Sequence, residues 1–357
     1  MTRLVITGAS GNVGTAVLRR LAGRTDIEVV GVVRRPPPST PPYGGVRWHR
    51  ADISEDTADA VLDEAMDGVE AVIHLAWAFQ PTRRPQYLRR VGVGGTERVL
   101  AAADRAGVRQ FVHMSSVGAY GRKISDVPVG ESYPHTGMST SEYSVDKAAA
   151  ERLLDSYENE HPDGMTVTRI RPGIVLQRDA GAALTRYGLP AYFPTQVLKH
   201  LPLLPLDRSF AVPVVHSDDV ADALVRVVDR GLGGAFNLAA DQPLTRSIVA
   251  DVLGARALQV PAPVLRAAVS GSWRLHLQPL SPVWIDLAFA APLQDCTRAH
   301  QELGWRPTSN PRDALIDALA GITGNIGTDS PALRSQSLAN RLLDAVRSGP
   351  VSHRKRS

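Results

Sequence analysis

Tyr143-Ser144-Val145-Asp146-Lys147 sets a phenol and an ammonium four residues apart, inside a stretch from Glu142 to Leu154 whose pattern reads as helix. Residues i and i+4 share a helix face, so both groups address one pocket. An ammonium beside a phenol favours the phenolate and lowers the tyrosine pKa from about 10 toward the operating pH. A phenol tuned in this way suits general acid/base work. The spacing fits a solvated surface pair equally well, so other parts of the chain must supply something for the pair to act on.

Thr7-Gly8-Ala9-Ser10-Gly11-Asn12-Val13-Gly14 follows an apolar run and opens a helix through Leu21. Gly8 permits a tight turn, Gly11 a close approach of backbone to pyrophosphate, and Gly14 close packing of helix on strand. The helix N-terminus adds N–H groups and a partial positive charge for phosphates. Strand, turn and helix together predict a dinucleotide site along Gly8, Ser10, Gly11, Asn12, Val13 and Gly14. An acidic residue at the end of the second strand would bind a ribose 2′-hydroxyl and select NAD. Arg34 and Arg35 stand there instead. Two guanidiniums suit a 2′-phosphate, so NADP(H) is favoured, with NAD(H) as the alternative.

Elements that would position these groups alternate through the first 175 residues. Short β-branched runs at Leu4–Thr7, Glu28–Val33, Val46–Arg50, Ala71–Leu75, Phe111–Ser115 and Thr166–Arg171 are separated by helical patterns. Such alternation predicts an α/β fold with a doubly wound parallel sheet. Pro36 to Pro42 reads as an extended surface loop. After Pro172 the pattern becomes irregular and proline-broken, as in a smaller mixed C-terminal substrate lobe. The reading is a dinucleotide-binding domain over 1–175 with 210–240 returning to it, a lobe over 176–209 and 241–325, and a tail over 326–357. Within the returning segment, Asp218–Asp229 is expected as a helix capped by Ser217 or Asp218, and Ala235–Ala239 as a strand. Leu258 to Leu293, apolar and rich in Trp and Pro, reads as a pocket cover in preference to a membrane-facing surface.

The 357 residues are 43% hydrophobic and 21% charged, ordinary for a globular protein. No run of 18 apolar residues occurs and no signal-peptide pattern precedes the first strand, so neither membrane span nor export is expected. Cys296 is the only cysteine, which rules out an internal disulfide and agrees with a reducing compartment; cytoplasmic residence is the expectation. The net charge of +4 arises entirely from residues 328–357, where six basic residues face two acidic ones. No basic patch on the body supports nucleic-acid binding, and the terminal His-Arg-Lys-Arg reads as a solvated tail.

With these pieces in hand the chain resembles the extended short-chain dehydrogenase/reductase family, also called the NAD-dependent epimerase/dehydratase family. Carrying the resemblance are Thr7–Gly14, Ala51-Asp52-Ile53, Val72–Ala76, Gly95-Thr96, Met114-Ser115-Ser116, Tyr143–Lys147, Arg171-Pro172-Gly173, His216–Val220, Phe236–Ala239 and Leu303-Gly304-Trp305. It implies a Rossmann fold and hydride transfer at a carbinol or carbonyl carbon. It further implies Tyr143 as acid/base, Lys147 on the nicotinamide ribose and Ser116 on the reacting oxygen. Asp52 and Ile53 would meet the adenine, Leu75, Ala76 and Trp77 would line the cofactor groove, and Pro172 would border the nicotinamide. Many members dimerise through two helices, here those at 86 to 106 and 142 to 161.

Three departures narrow the resemblance. Gly92 stands where the family usually has Asn, and glycines at 92, 94 and 95 predict a bent or interrupted helix. Val117 and Gly118 replace the acidic residues of the dehydratases, which argues against elimination of water. Gly173 and Ile174 follow Arg171-Pro172 where many nucleotide-sugar epimerases present Asn. A reductase or dehydrogenase acting on a small carbonyl or alcohol is therefore preferred over a nucleotide-sugar epimerase with retained cofactor, and over a non-catalytic dinucleotide sensor. His216, Asp218 and Asp219 read as a helix junction and no metal is expected, while His74 reads as a satisfied, half-buried histidine. Glu131, His135 and Asp146 lie near Tyr143 in sequence without a role being assignable.

Overall fold

A computed structural model describes residues 2–78, 85–190, 193–335 and 337. The chain lays down β1 (Thr2–Thr7), β2 (Ile27–Val33), β3 (Arg47–Arg50), β4 (Ala71–His74), β5 (Gln110–Met114) and β6 (Thr166–Pro172). Four short strands follow: β7 (Ile174–Leu176), β8 (Leu203–Leu206), β9 (Ala211–Val212) and β10 (Val214–His216). Last come β11 (Gly234–Leu238), β12 (Leu244–Thr245) and β13 (Arg256–Gln259). β1 to β6 and β11 form one sheet in the order β11-β6-β5-β4-β1-β2-β3. Every pair in it is parallel. The chain steps outward from β1 to β3, then crosses back to β4 and continues the other way, so the order reverses between β1 and β4. Ligands of doubly wound sheets bind outside the strand ends at that reversal.

Both faces of the sheet are buried because alternate side chains go to opposite sides. Leu4, Ile6, Ile73, Val112 and Ile170 pack with helices Asn12–Leu21 and Ser217–Arg230. Val5, Val30, Val72 and Phe111 pack on the other face with Ala58–Met66, Gly95–Arg105 and Glu142–Glu160. Each of these four is fully buried and contributes about 1.5–3 kcal/mol of transfer free energy.

Within 210–240, β11 pairs with β6 and brings the sheet from the six strands read from the pattern to seven. The helix of this segment starts at Ser217, but the cap is His216, whose Nδ1 accepts from the Asp218 N–H at 3.2 Å. Neither Ser217 nor Asp218 serves, because both already lie inside the helix. Glycine clustering has the expected effect: between helices Pro85–Arg89 and Gly95–Arg105 lies a π-helical turn, Arg90–Gly94.

Outside the sheet stand three two-stranded pieces: β7 with β10, β9 with β12, and β8 with β13. With them go helices Arg246–Leu253, Ala262–Arg274, Val283–Ala290 and Pro311–Thr323. Residues 326–335, grouped with the tail from sequence, run back over the glycine turn, where the buried Ser330 hydroxyl donates to the Ser10 carbonyl at 2.5 Å. The proline loop is tied to the same segment through Thr40 to Asp329 and through the Tyr43 and Thr328 hydroxyls, 2.7 Å each. The basic end of the chain lies outside the described residues. Among those described, no helix is long and apolar enough to cross a membrane.

Candidate functional site

A cavity of about 540 Å³ opens at the β1/β4 reversal, and every residue singled out from sequence as catalytic or cofactor-binding borders it. At its floor the turn after β1 has no room for side chains. Gly8 sits at φ +73°, and a Cβ there would stand 2.8 Å from the Ala76 nitrogen; at Gly14 it would stand 2.5 Å from the Ala9 carbonyl. The next helix begins at Asn12 with Gly11 as N-cap and no side-chain cap, leaving its first N–H groups for a ligand. The turn is held in place by Gln177, whose Nε2 donates to the Asn12 carbonyl at 2.7 Å. Arg34 and Arg35 lie just past β2 at one end, with Asp52 and Ile53 alongside. Arg34 donates to the Tyr87 hydroxyl at 2.7 Å, and Asp52 accepts from the Ser54 hydroxyl at 2.7 Å. A close-approach turn, uncapped helical donors and guanidiniums at the far end fit a dinucleotide.

At the other end helix Glu142–Glu160 delivers Tyr143 and Lys147. Ser141 caps it, accepting from the Ser144 N–H at 3.3 Å, and the Ser144 hydroxyl donates to the Gly118 carbonyl at 2.5 Å. This docks the helix on the short turn Val117–Ala119 that carries Ser116. Gly118 is small for a reason: a Cβ would stand 2.8 Å from Cε1 of Tyr143. Ser116 and the Tyr143 ring flank Gly118 from two sides, and the Ser116 oxygen accepts from the Gly118 N–H at 3.0 Å. Lys147 Nζ donates to the Met114 carbonyl at 2.7 Å and lies 3.4 Å from the centre of the Trp77 ring.

The electrostatics differ from the expectation of a lowered tyrosine pKa. Burial pushes the Tyr143 phenol above 10, with the Ser116 hydrogen bond pulling the other way. Lys147 is held well below its ordinary 10.5 by burial, with the Glu151 carboxylate opposing. Desolvation acts on both members of the pair, disfavours both charged forms and is the largest cause of each shift.

A buried ion pair braces this end. Arg171 Nε donates to Glu151 at 2.9 Å, a second guanidinium nitrogen donates to the other carboxylate oxygen, and the Ser115 hydroxyl donates to Glu151. The helix carrying Tyr143 is thereby joined to β6 and to the residue beside Ser116. His74 is fully buried rather than half-buried, bonded to Thr7 at 2.7 Å and Thr96 at 3.0 Å, with its pKa lowered to about 3 by burial. Glu131 accepts from the Asn237 N–H at 2.9 Å, Asp146 pairs with Arg89 at 2.8 Å and His135 meets Asp155 at 3.1 Å. None of the three borders the cavity. Asp219 accepts from the Thr308 N–H at 2.9 Å, and His216 meets Asp317 at 3.3 Å. No group of three potential metal ligands occurs among the described residues.

The wall also takes in residues that were not assigned to the site from sequence. Trp284, Leu287, Ala288 and Ala291 close the cavity, with the Trp284 ring 5.4 Å from that of Tyr143. They belong to the Trp-rich segment read as a pocket cover. Pro331, Ala332 and Leu333 also border it and carried no local signal, since only chain return brings them there.

A family model described as "NAD dependent epimerase/dehydratase family" matches residues 4–239. An uncharacterized protein of Mycobacterium tuberculosis is 28% identical over 333 residues, 91% of this chain but 30% of the relative, so this chain spans under a third of that longer protein. The 3 beta-hydroxysteroid dehydrogenase/Delta 5-->4-isomerase of the same organism is 26% identical over 339 residues, 89% of each chain. Among solved structures, the UDP-glucose 4-epimerase of Thermotoga maritima superposes with a TM-score of 0.68 at 17% identity, covering 90% of this chain and 99% of that one. The fold is shared, and because the family match takes in more than half of the chain, this protein belongs to the NAD dependent epimerase/dehydratase family of enzymes.

Proposed function

We propose that this protein is a nicotinamide-dependent dehydrogenase or reductase with a preference for NADP(H), acting on an apolar carbinol or ketone with Tyr143 as acid/base. The observation that carries the reading is that Ser116, Tyr143 and Lys147 line one cavity together with the glycine turn. When bound, the dinucleotide supplies the hydride acceptor or donor. The turn from Gly8 to Gly14 grips its phosphates, and Arg34 with Arg35 reads the 2′-phosphate. Ser116 holds the substrate oxygen against the phenol, and Tyr143 takes the hydroxyl proton as the carbinol is oxidised, or returns it in reduction. Lys147 holds the nicotinamide ribose beside them.

An apolar substrate is supported by the cavity wall, where Trp284, its ring 5.4 Å from that of Tyr143, is joined by Leu287, Ala288 and Ile174. A side chain of this kind rewards apolar surface rather than a charged group. The hydroxysteroid-dehydrogenase relative supports the same reading. Residues 86 to 106 and 142 to 161 offer the helices for a homodimer.

The test pairs the purified protein and NADP+ with a 3β-hydroxysteroid, followed by the absorbance of reduced nicotinamide. Tyr143→Phe is expected to lower turnover by about 10²–10⁴-fold with NADPH affinity nearly unchanged. Arg34→Asp is expected to weaken NADPH by roughly 10–100-fold while leaving NADH close to wild type, the scale of one hydrogen bond to a charged group. Turnover that survives in Tyr143→Phe removes it as acid/base, and equal losses for both cofactors remove the NADP(H) preference. Interconversion of a UDP-sugar without net nicotinamide change would replace the dehydrogenase reading by an epimerase with retained cofactor.

A further inference from the structure

Lys147 is 2% exposed, and among the described residues no carboxylate lies within ion-pair distance of its Nζ. Glu151, one turn further along the same helix, is engaged by Arg171 and Ser115. The other groups facing the ammonium are the Met114 carbonyl and two buried histidines, His74 from β4 and His113 from β5. Both histidines are pushed toward the neutral form by burial. What covers the ammonium is the face of an indole: Nζ lies 3.4 Å from the Trp77 ring centre. The same ring turns its edge relation to Tyr143 at 6.4 Å and 81° and to His113 at 6.3 Å and 68°.

The ring occupies space that exists because residue 92 has no side chain. A Cβ on Gly92 would stand 2.8 Å from Cζ2 of Trp77 and 2.9 Å from Cη2. The π-helical turn Arg90–Gly94 presents that bare backbone, and the Thr96 hydroxyl pins it by donating to the Gly92 carbonyl at 2.6 Å. We propose that Trp77 is a positioning residue for Lys147: its indole face seats the amine one helical turn from Tyr143 and favours the ammonium against desolvation, and Gly92 is the vacancy that admits the ring. A cation over the face of Trp is drawn by the ring quadrupole, and the attraction is largest where water is excluded. The inference rests on the proposed catalytic role only for its consequence in turnover; the holding of charge is a separate property of the folded chain.

The direct test reads the acidity of Lys147 without cofactor or substrate. Full-length wild type, Trp77→Leu, Trp77→Phe and Gly92→Ala are acetylated with acetic anhydride across a pH series, and the Lys147 peptide is quantified by mass spectrometry. Losing the indole removes a contact that favours the ammonium, so the inflection should fall: by about one pKa unit in Trp77→Leu, tenfold in acidity constant, and by less in Trp77→Phe. Gly92→Ala should also lower it, because the added Cβ drives the ring from its place. Should Trp77→Leu fail to fold, the ordering of wild type above Trp77→Phe and Gly92→Ala carries the test. A filling role alone would lower melting temperatures and leave the inflection at the wild-type pH. An unmoved or raised inflection in the folded variants overturns the proposal. A lowered inflection in a protein that turns over no carbinol upholds it and overturns the proposed function instead.

Discussion

Replacing Glu151 by alanine removes the carboxylate that Arg171 and Ser115 share beneath the site. Glu151 is fully buried and the Arg171 side chain is 3% exposed, so water cannot replace the lost partner. Arg171 would keep two bonds, to the Tyr120 hydroxyl at 3.1 Å and the Glu131 carbonyl at 2.8 Å, but would stand as an uncompensated charge. Breaking a buried pair on one side costs about 3–5 kcal/mol. Unfolding entropy of about 2.1 cal/mol/K per residue over 357 residues is about 0.75 kcal/mol/K, so the melting temperature should fall by about 4–7 °C. Differential scanning calorimetry reads this directly. Glu151→Gln, which keeps an acceptor for Ser115 and Arg171, should lose roughly half as much. A Glu151→Ala protein that melts with wild type would refute the view that this pair braces the Tyr143 helix against β6.

Gly118→Ala should displace the Tyr143 ring, because the new Cβ would begin 2.8 Å from Cε1. Turnover should drop by up to about 10²-fold with NADPH affinity retained, and undiminished turnover would show that the phenol tolerates the shift. Acid should destabilise the protein through the buried His74, with a pKa of about 3, and the buried His113, well below 6.5, both because burial disfavours their charged forms. Their folded pKa values are depressed, so stability is complete above the unfolded value of about 6.5 and is lost as pH falls below it, by up to about 1.4 kcal/mol per pH unit for each histidine. Urea midpoints between pH 6.5 and 5 should therefore fall, and in His113→Phe the slope should shrink by about half; an unchanged slope assigns the acid sensitivity elsewhere.

Much of the frame was readable along the chain because it depends on local rules. The six apolar runs became β1 to β6 within one residue or two, since period and β-branching act over a few positions. Gly8 and Gly14 marked the turn because a Cβ at either would stand 2.8 Å or less from neighbouring backbone. The Tyr143–Lys147 helix was visible from its pattern, and the glycines at 92, 94 and 95 announced the break that became a π-turn. Misplaced details were also local: the cap of helix Ser217–Arg230 is a histidine, a residue outside the usual capping set.

What the amino-acid order determined by itself was therefore the alternation of elements, the dinucleotide turn and the presence of a phenol and ammonium on one helix face. Tertiary structure alone decided what surrounds them. Trp77 reaches Lys147 through a space left by Gly92, fifteen residues away in sequence; Trp284 closes over Tyr143; and residues 330–333 return across the chain to the first turn. It also reversed the sign of the tyrosine shift. Spacing along a helix reports which charges are near, whereas desolvation depends on everything packed around them, and here the packing comes from segments far apart in sequence.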